Sequence, residues 1–233
     1  MKNITKVLIL CLLILILLSY PTANILIVKK NILAKEIEAN NLIYLDPGHG
    51  GIDCGGISKN EIYEKDINLK ICEFLKIYLN NSGYKVKLTR YGDYDLASKE
   101  SRNRKHEDIT KRIDLIDNSN CLLFISIHCN IYTNNTIKGA QTFFNDKNIF
   151  NKNLSESIQE KMIAILKNTK RVAKSIKGKY LIDNIKSVGS LVEVGFLSND
   201  EEASLLANPV YQDTVAYSIY LGIIDYLAPN NNL

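Results

Sequence analysis

Histidine and cysteine are both scarce in this chain, and each scarcity narrows its chemistry. Five cysteines occur in 233 residues, and no two have the C-x-x-C spacing of a structural zinc site or a thiol-redox pair. Cys54, Cys72, Cys121 and Cys129 are too few for the disulfide framework of a small secreted domain. They are expected as buried free thiols, with a single disulfide left open. An excess of one charge is also missing, since 29 Lys and Arg stand against 25 Asp and Glu. The basic residues are interleaved with carboxylates and form no basic face, so nucleic acid is not expected as a partner. There is no internal repeat, and the one low-complexity stretch is the Asn-rich tail.

Long apolar runs are missing too. The longest, residues 7–18, would span about 18 Å as a helix against about 30 Å of bilayer core. Lys2 and Lys6 precede it, and Ser19, Tyr20, Pro21, Thr22 and Ala23 follow. A basic start, a short apolar core and a small-residue exit is the layout of a secretory signal peptide. Apolar residues resume at 25–28, so a retained membrane anchor through residues 7–28 stays as the alternative. Cys11 lies inside the run behind Leu10, which is not the layout of a lipoprotein signal. Export across the cytoplasmic membrane is expected on either reading. The chain divides into a signal peptide or anchor over 1–23, a linker over 24–40, one domain over 41–228 and a tail over 229–233.

What remains is globular in composition, 46% hydrophobic and 23% charged, and sufficient for one sizeable core. Short apolar runs at 42–45, 122–128 and 191–194 read as buried strands, with further strands at 86–89 and 139–144. Helical periodicity runs through 62–79, 108–117 and 154–166, and one or two closing helices over 201–227 are interrupted near Pro209. Strands alternating with helices predict an α/β sheet covered on both faces.

Four places on this map carry chemistry, all near strand ends, where ligands bind in open α/β sheets. His49 stands in Asp46-Pro47-Gly48-His49-Gly50-Gly51, a tight turn with little steric cover that exposes the imidazole for coordination. His128 closes the most apolar strand. A lone histidine there is usually a satisfied core residue, but paired with His49 it points to metal ligation. His106, among Arg102, Arg104, Lys105 and Glu107, reads as solvated surface. Glu61, Glu64 and Asp66 open the first helix, where acidic residues suit the helix dipole, and one of them could turn inward as a third ligand. Two histidines and a carboxylate leave a fourth position open for water. Glu193 lies within the apolar strand Leu191-Val192-Glu193-Val194, with Leu191, Glu193 and Gly195 on one face. A buried carboxylate needs either a salt-bridge partner or a task such as proton transfer beside a metal.

These residues sit in LDPGHGGID (45–53), YEKDINL (63–69), LTR (88–90), FISIHCN (124–130), KGAQTFF (138–144) and LVEVGFLSNDEE (191–202). In that order, the segments resemble the zinc-dependent N-acetylmuramoyl-L-alanine amidases of bacteria. The resemblance implies a single α/β domain, with a mixed twisted sheet flanked by helices on both faces. It also implies Zn2+ held by His49, Glu64 and His128, which selects Glu64 over Glu61. Glu193 then takes a proton from the attacking water and passes it to the leaving nitrogen. The substrate would be peptidoglycan, cut between N-acetylmuramic acid and L-alanine in the cell wall or spore cortex space.

A leader followed by a bare catalytic domain over 41–228 looks most like the germination-specific amidases of spore formers, which act before muramic-δ-lactam forms in the cortex. The short gap between His128 and Gly139 leaves no room for the inserted helix that occludes some cell-division amidases. Cys129 stands where the family commonly has a smaller residue, and Val188-Gly189-Ser190 replaces a proline-containing lead. An exported protein partner is left open. Two alternatives remain at this stage: a non-catalytic wall-binding or partner-activating protein on the same fold, and a zinc peptidase or deacetylase acting on another bond of the polymer.

Overall fold

Residues 41–228 are described by the computed structural model. The expected leader, linker and tail lie outside the described residues. The elements run β1 (Leu42–Pro47), α1 (Glu64–Asn81), β2 (Lys85–Leu88), α2 (Arg104–Asp117), β3 (Leu123–Asn130), β4 (Gln141–Phe144), α3 (Ile149–Leu166), β5 (Lys174–Ser175), α4 (Tyr180–Asn184), β6 (Gly189–Phe196), α5 (Asp200–Leu206) and α6 (Pro209–Leu227).

The six strands form one sheet in the order β2-β1-β3-β6-β4-β5. β1, β2, β3 and β6 are mutually parallel, while β4 runs antiparallel to β6 and carries β5 parallel to itself. The sheet is therefore mixed and flanked by helices, as the resemblance implies. β1, β3 and β6 are apolar almost throughout, and central strands covered on both faces need that composition. β2 is an edge strand, and its alternating lysines point outward, which discourages pairing with another chain.

The two faces are covered unequally. On one, Ile43, Leu45, Ile125, Ile127, Val192 and Val194 pack against α1, α3 and α6. α1 presents Ile67, Ile71, Leu75 and Leu79 at intervals of four, a stripe that buries against the sheet. The other face has a small core of Tyr44, Ile116, Phe124, Ile182, Ile185 and Leu191, beneath α2 and the five-residue α4. Near the carboxyl ends of the parallel strands this thinner cover leaves polar side chains accessible.

Several boundaries differ from the sequence expectation. α2 starts four residues early, because the Asn103 side chain accepts from the backbone of His106 and caps it. The closing segment is two helices: Asn208 caps the second, and Pro209 occupies its first turn, where no backbone donor is missed. β5 and α4 were not expected, being too short to carry a period. β6 contains a bulge between the pairs His128–Glu193 and Asn130–Phe196. Gly195 consequently lies against Leu206 and Glu202 of α5 instead of sharing a face with Glu193. Among the described residues, no helix is long and apolar enough to cross a membrane. Cys54, Cys72, Cys121 and Cys129 are free; Cys72 and Cys129 are buried and the other two half-buried. Cys11 lies outside the described residues.

Candidate metal centre

The turn after β1 holds His49 in an unusual backbone conformation. His49, Gly50 and Gly51 all have positive φ, at 61°, 134° and 60°. A β-branched or bulky residue would be strained in such a run, and Gly50 has no room for a side chain, since a Cβ would lie 2.4 Å from the Tyr94 carbonyl oxygen. Gly48 is needed for space as well. A Cβ there would fall 2.2 Å from Cε1 of His128, whose ring lies against the turn.

Two buried guanidinium groups fix this turn from beneath. Arg90 donates to the carbonyl oxygens of Pro47 and Gly48 at 3.0 Å each. Arg112, from α2, donates to Pro47 O at 2.8 Å and to His49 O at 2.6 Å. Arg112 also pairs with buried Asp46 at 2.8 Å and with Asp108 at 2.9 Å. Burial alone would raise the Asp46 pKa, but Arg112 outweighs it, with hydrogen bonds from Thr89 and Ser126, and brings it down to about 2. Neither arginine was assigned a role by the sequence reading. Arg90 stood in the matched LTR segment, and Arg112 gave no signal.

Three expected ligands meet above this platform. Glu64 is the first residue of α1 and is almost fully buried. Its Oε1 lies 3.2 Å from Nε2 of His49 and 3.0 Å from Nδ1 of His128. All three donor atoms lie within 4.8 Å of one another. Two ligands on one tetrahedral zinc stand about 3.3 Å apart when metal–ligand distances are about 2.0–2.1 Å. The two short separations agree with that to within a few tenths of an ångström, and two nitrogens with one carboxylate oxygen is a donor set zinc accepts. Glu61 and Asp66 are exposed, so only Glu64 of that acidic group joins the cluster.

Glu64 is held from several sides. The backbone N–H of Cys129 donates to Oε1 at 3.0 Å, and that of Gly56 to Oε2 at 2.6 Å. Burial would raise its pKa, but hydrogen bonds from His128 and His49 prevail and hold it far below the usual carboxylate range. His49 has a second partner that sequence reasoning missed. Asp53 Oδ2 lies 3.0 Å from His49 Nδ1, the nitrogen facing away from Glu64. Its signal was a carboxylate four residues after a candidate ligand, inside a segment already quoted. A ligating histidine commonly gives its other ring N–H to such a carboxylate, which fixes its tautomer and orientation.

Glu193 stands apart from the ligand trio. It is opposite His128 in the β3–β6 register, and only 7% of its surface is exposed. Its Oε2 has no hydrogen-bond partner among the described residues. Burial pushes its pKa up, against the pull of His128 and with a further push from Glu64. A buried, unpartnered carboxylate of raised pKa beside a potential metal site is suited to taking up and returning a proton. Glu193, His49 and His128 line one cavity of about 180 Å³. His106 is exposed on α2 and is not among these groups, as expected.

The family described as N-acetylmuramoyl-L-alanine amidase matches residues 43–225. The germination-specific N-acetylmuramoyl-L-alanine amidase of Bacillus subtilis is 44% identical over 191 residues, covering 81% of this chain and 80% of its own. Among solved structures, the CwlD amidase from Clostridioides difficile, in complex with the GerS lipoprotein, superposes with a TM-score of 0.78 at 39% identity, covering 81% of this chain and 98% of that one. The N-acetylmuramoyl-L-alanine amidase from Clostridium difficile 630 gives a TM-score of 0.73 at 29% identity, covering 82% and 98%.

Proposed function

The chain belongs to the N-acetylmuramoyl-L-alanine amidase family, and on that premise we propose that His49, Glu64 and His128 hold zinc and that Glu193 moves the proton during hydrolysis. The observation that carries this reading is the convergence of two imidazoles on one buried carboxylate, next to a second buried carboxylate that lacks a partner. Zinc, when bound there, supplies Lewis-acid polarisation of the scissile carbonyl and of water.

The protein's own residues do the rest. Arg90 and Arg112 keep the His49 turn in its strained form. Asp53 orients the His49 ring, and the Cys129 and Gly56 backbone donors hold Glu64 in a single orientation. Glu193 accepts a proton from the attacking water and delivers it to the L-alanine nitrogen as the stem peptide departs. Burial, which raises its pKa, strengthens it as an acceptor for that proton. The site lies at the carboxyl ends of parallel strands, where a branched polymer can reach it without entering the core.

The names of the relatives extend the proposal. One is germination-specific, and another was solved with a lipoprotein. We infer that this chain acts outside the cytoplasm on spore cortex, preparing it for muramic-δ-lactam formation, and that an exported protein can serve as its partner. On this reading residues 1–23 are a signal peptide or anchor, 24–40 a linker and 41–228 the catalytic domain. The test is digestion of purified cortex and vegetative wall side by side, with products read by mass spectrometry. Free peptides carrying L-alanine at the amino end, released faster from cortex, are expected. Cleavage at another bond would refute the amidase assignment for this site, and a preference for vegetative wall would refute the cortex role.

A further inference from the structure

A second cavity lies across α2 from the metal centre. The cavity at the metal centre touches α2 at Lys105, Asp108, Ile109 and Arg112. The second is bounded by Lys111, Asp114, Leu115 and Asn118 on another flank of that helix, and by Tyr44 of β1, Lys87 of β2 and Leu96. It is a solvent-facing groove of about 540 Å³, within the roughly 300–1,000 Å³ of small-molecule sites. Tyr44 lies about 10 Å back along β1 from Pro47, where the His49 turn begins.

The polar groups of this groove are mostly without partners. Tyr44 and Lys87 are register neighbours on adjacent parallel strands, so their side chains leave the same face of the sheet. Tyr44 is only 5% exposed and its ring belongs to the small core, yet among the described residues its hydroxyl has no hydrogen-bond partner. Burial raises its pKa, so the hydroxyl stays neutral and able to donate. Lys87 is exposed and has no carboxylate within ion-pair distance among the described residues, whereas Lys111 is already paired with Glu107 at 2.7 Å. Asp114 and Asn118, one turn apart at the end of α2, are exposed, and their side chains make no hydrogen bond among the described residues. Leu96 and Leu115 supply the apolar part of the lining.

A free cation, a free carboxylate, a neutral hydroxyl, an amide and an apolar patch are together complementary to an acidic N-acetylhexosamine. Such a sugar offers a carboxylate to the lysine, hydroxyl and acetamido donors to Asp114 and Asn118, and the C–H face of its ring to the leucines. The amidase reaction makes one. Water adds across the lactyl amide, the peptide leaves as an amine, and the muramic acid that stays in the strand carries a free lactyl carboxylate. We propose that this groove binds N-acetylmuramic acid from which the stem peptide has been removed, with Lys87 and the Tyr44 hydroxyl holding the lactyl carboxylate. An intact muramoyl peptide presents an uncharged amide at that position and is the weaker ligand. The groove thereby keeps the enzyme on a glycan strand that it has begun to strip. The inference rests on the amidase reading of the metal centre.

The probe is the disaccharide of N-acetylglucosamine and N-acetylmuramic acid, with its lactyl carboxylate either free or converted to a carboxamide. It is titrated into the zinc-loaded protein and followed by backbone amide chemical shifts. The free acid is expected to bind about tenfold more tightly than the carboxamide, the scale of one charge-assisted hydrogen bond, and to shift residues 85–88 and 114–119. Lys87→Glu should abolish the preference, Lys87→Arg should keep it, and Tyr44→Phe should weaken binding of the acid by about fivefold. Turnover of a soluble muropeptide with a single stem should be the same in Lys87→Glu as in wild type, because the groove lies outside the metal centre. Shifts confined to the surroundings of residues 49, 64, 128 and 193 would overturn the groove as the site. Equal binding of acid and carboxamide, or a preference that survives Lys87→Glu, would overturn it as well. Absence of turnover on the muropeptide by the zinc-loaded wild type would instead remove the amidase reading, and with it the claim that the bound sugar is the enzyme's product.

Discussion

Asp53 touches His49 through one side-chain contact and lies at the rim of the site, so it can be changed without emptying the core. Outer-shell partners of ligating histidines typically contribute 10- to 100-fold in metal affinity. Asp53→Ala is therefore expected to raise the zinc dissociation constant by about that factor in a chelator competition, and an unchanged constant would mean that Asp53 does not orient the ligand. Asp46 gives a second test at this scale. Its folded pKa of about 2 lies below the ordinary value near 3.9, so its contribution is complete above about pH 4 and is lost as pH falls toward 2. The difference corresponds to about 2.6 kcal/mol. Urea midpoints measured against pH should fall across that window, and Asp46→Asn should flatten the slope while lowering stability at neutral pH. His49, His128, Glu64 and Glu193 could be named from the sequence, because turn glycines, strand ends and a charge in an apolar strand are all local signals. Asp46, Arg90 and Arg112 could not be given roles, since the contacts that tie them to the β1 turn and to each other join residues 42 to 80 positions apart.

At the scale of elements, the thick face of the sheet carries the stability and the thin face carries the chemistry. Leu75, at the centre of the α1 stripe, is fully buried, whereas Ile77 on the same helix is 55% exposed. Leu75→Ala is expected to cost about 2–5 kcal/mol and Ile77→Ala about 0.5 kcal/mol or less, measured by denaturant unfolding. Comparable losses at both positions would contradict the assigned register of α1. The strands and α1 were legible because their periods extend over enough residues to be read. α2 was legible only in part, because its inward stripe is Asp108, Arg112 and Ile116, and two of those three are charged. Hydropathy cannot mark a face that buries a salt-bridged pair. The β6 bulge was also invisible, so alternation placed Gly195 on the wrong side.

For the whole molecule, the site follows from strand direction. β1, β3 and β6 are adjacent and parallel, so their carboxyl ends meet at one end of the sheet. Residues 49, 128 and 193 are brought together by that topology alone, and the chain's return to α1 adds Glu64. The central claim is a division of labour between two buried glutamates, in which Glu64 holds zinc and Glu193 moves a proton. Zinc content per chain, measured on purified Glu64→Gln and Glu193→Gln beside wild type, tests it most directly. About one zinc is expected in wild type and in Glu193→Gln, whose turnover on cell wall should still drop by about 100- to 10,000-fold. Glu64→Gln should lose most of its metal. Zinc retained in Glu64→Gln and lost from Glu193→Gln would contradict the account and exchange the two roles.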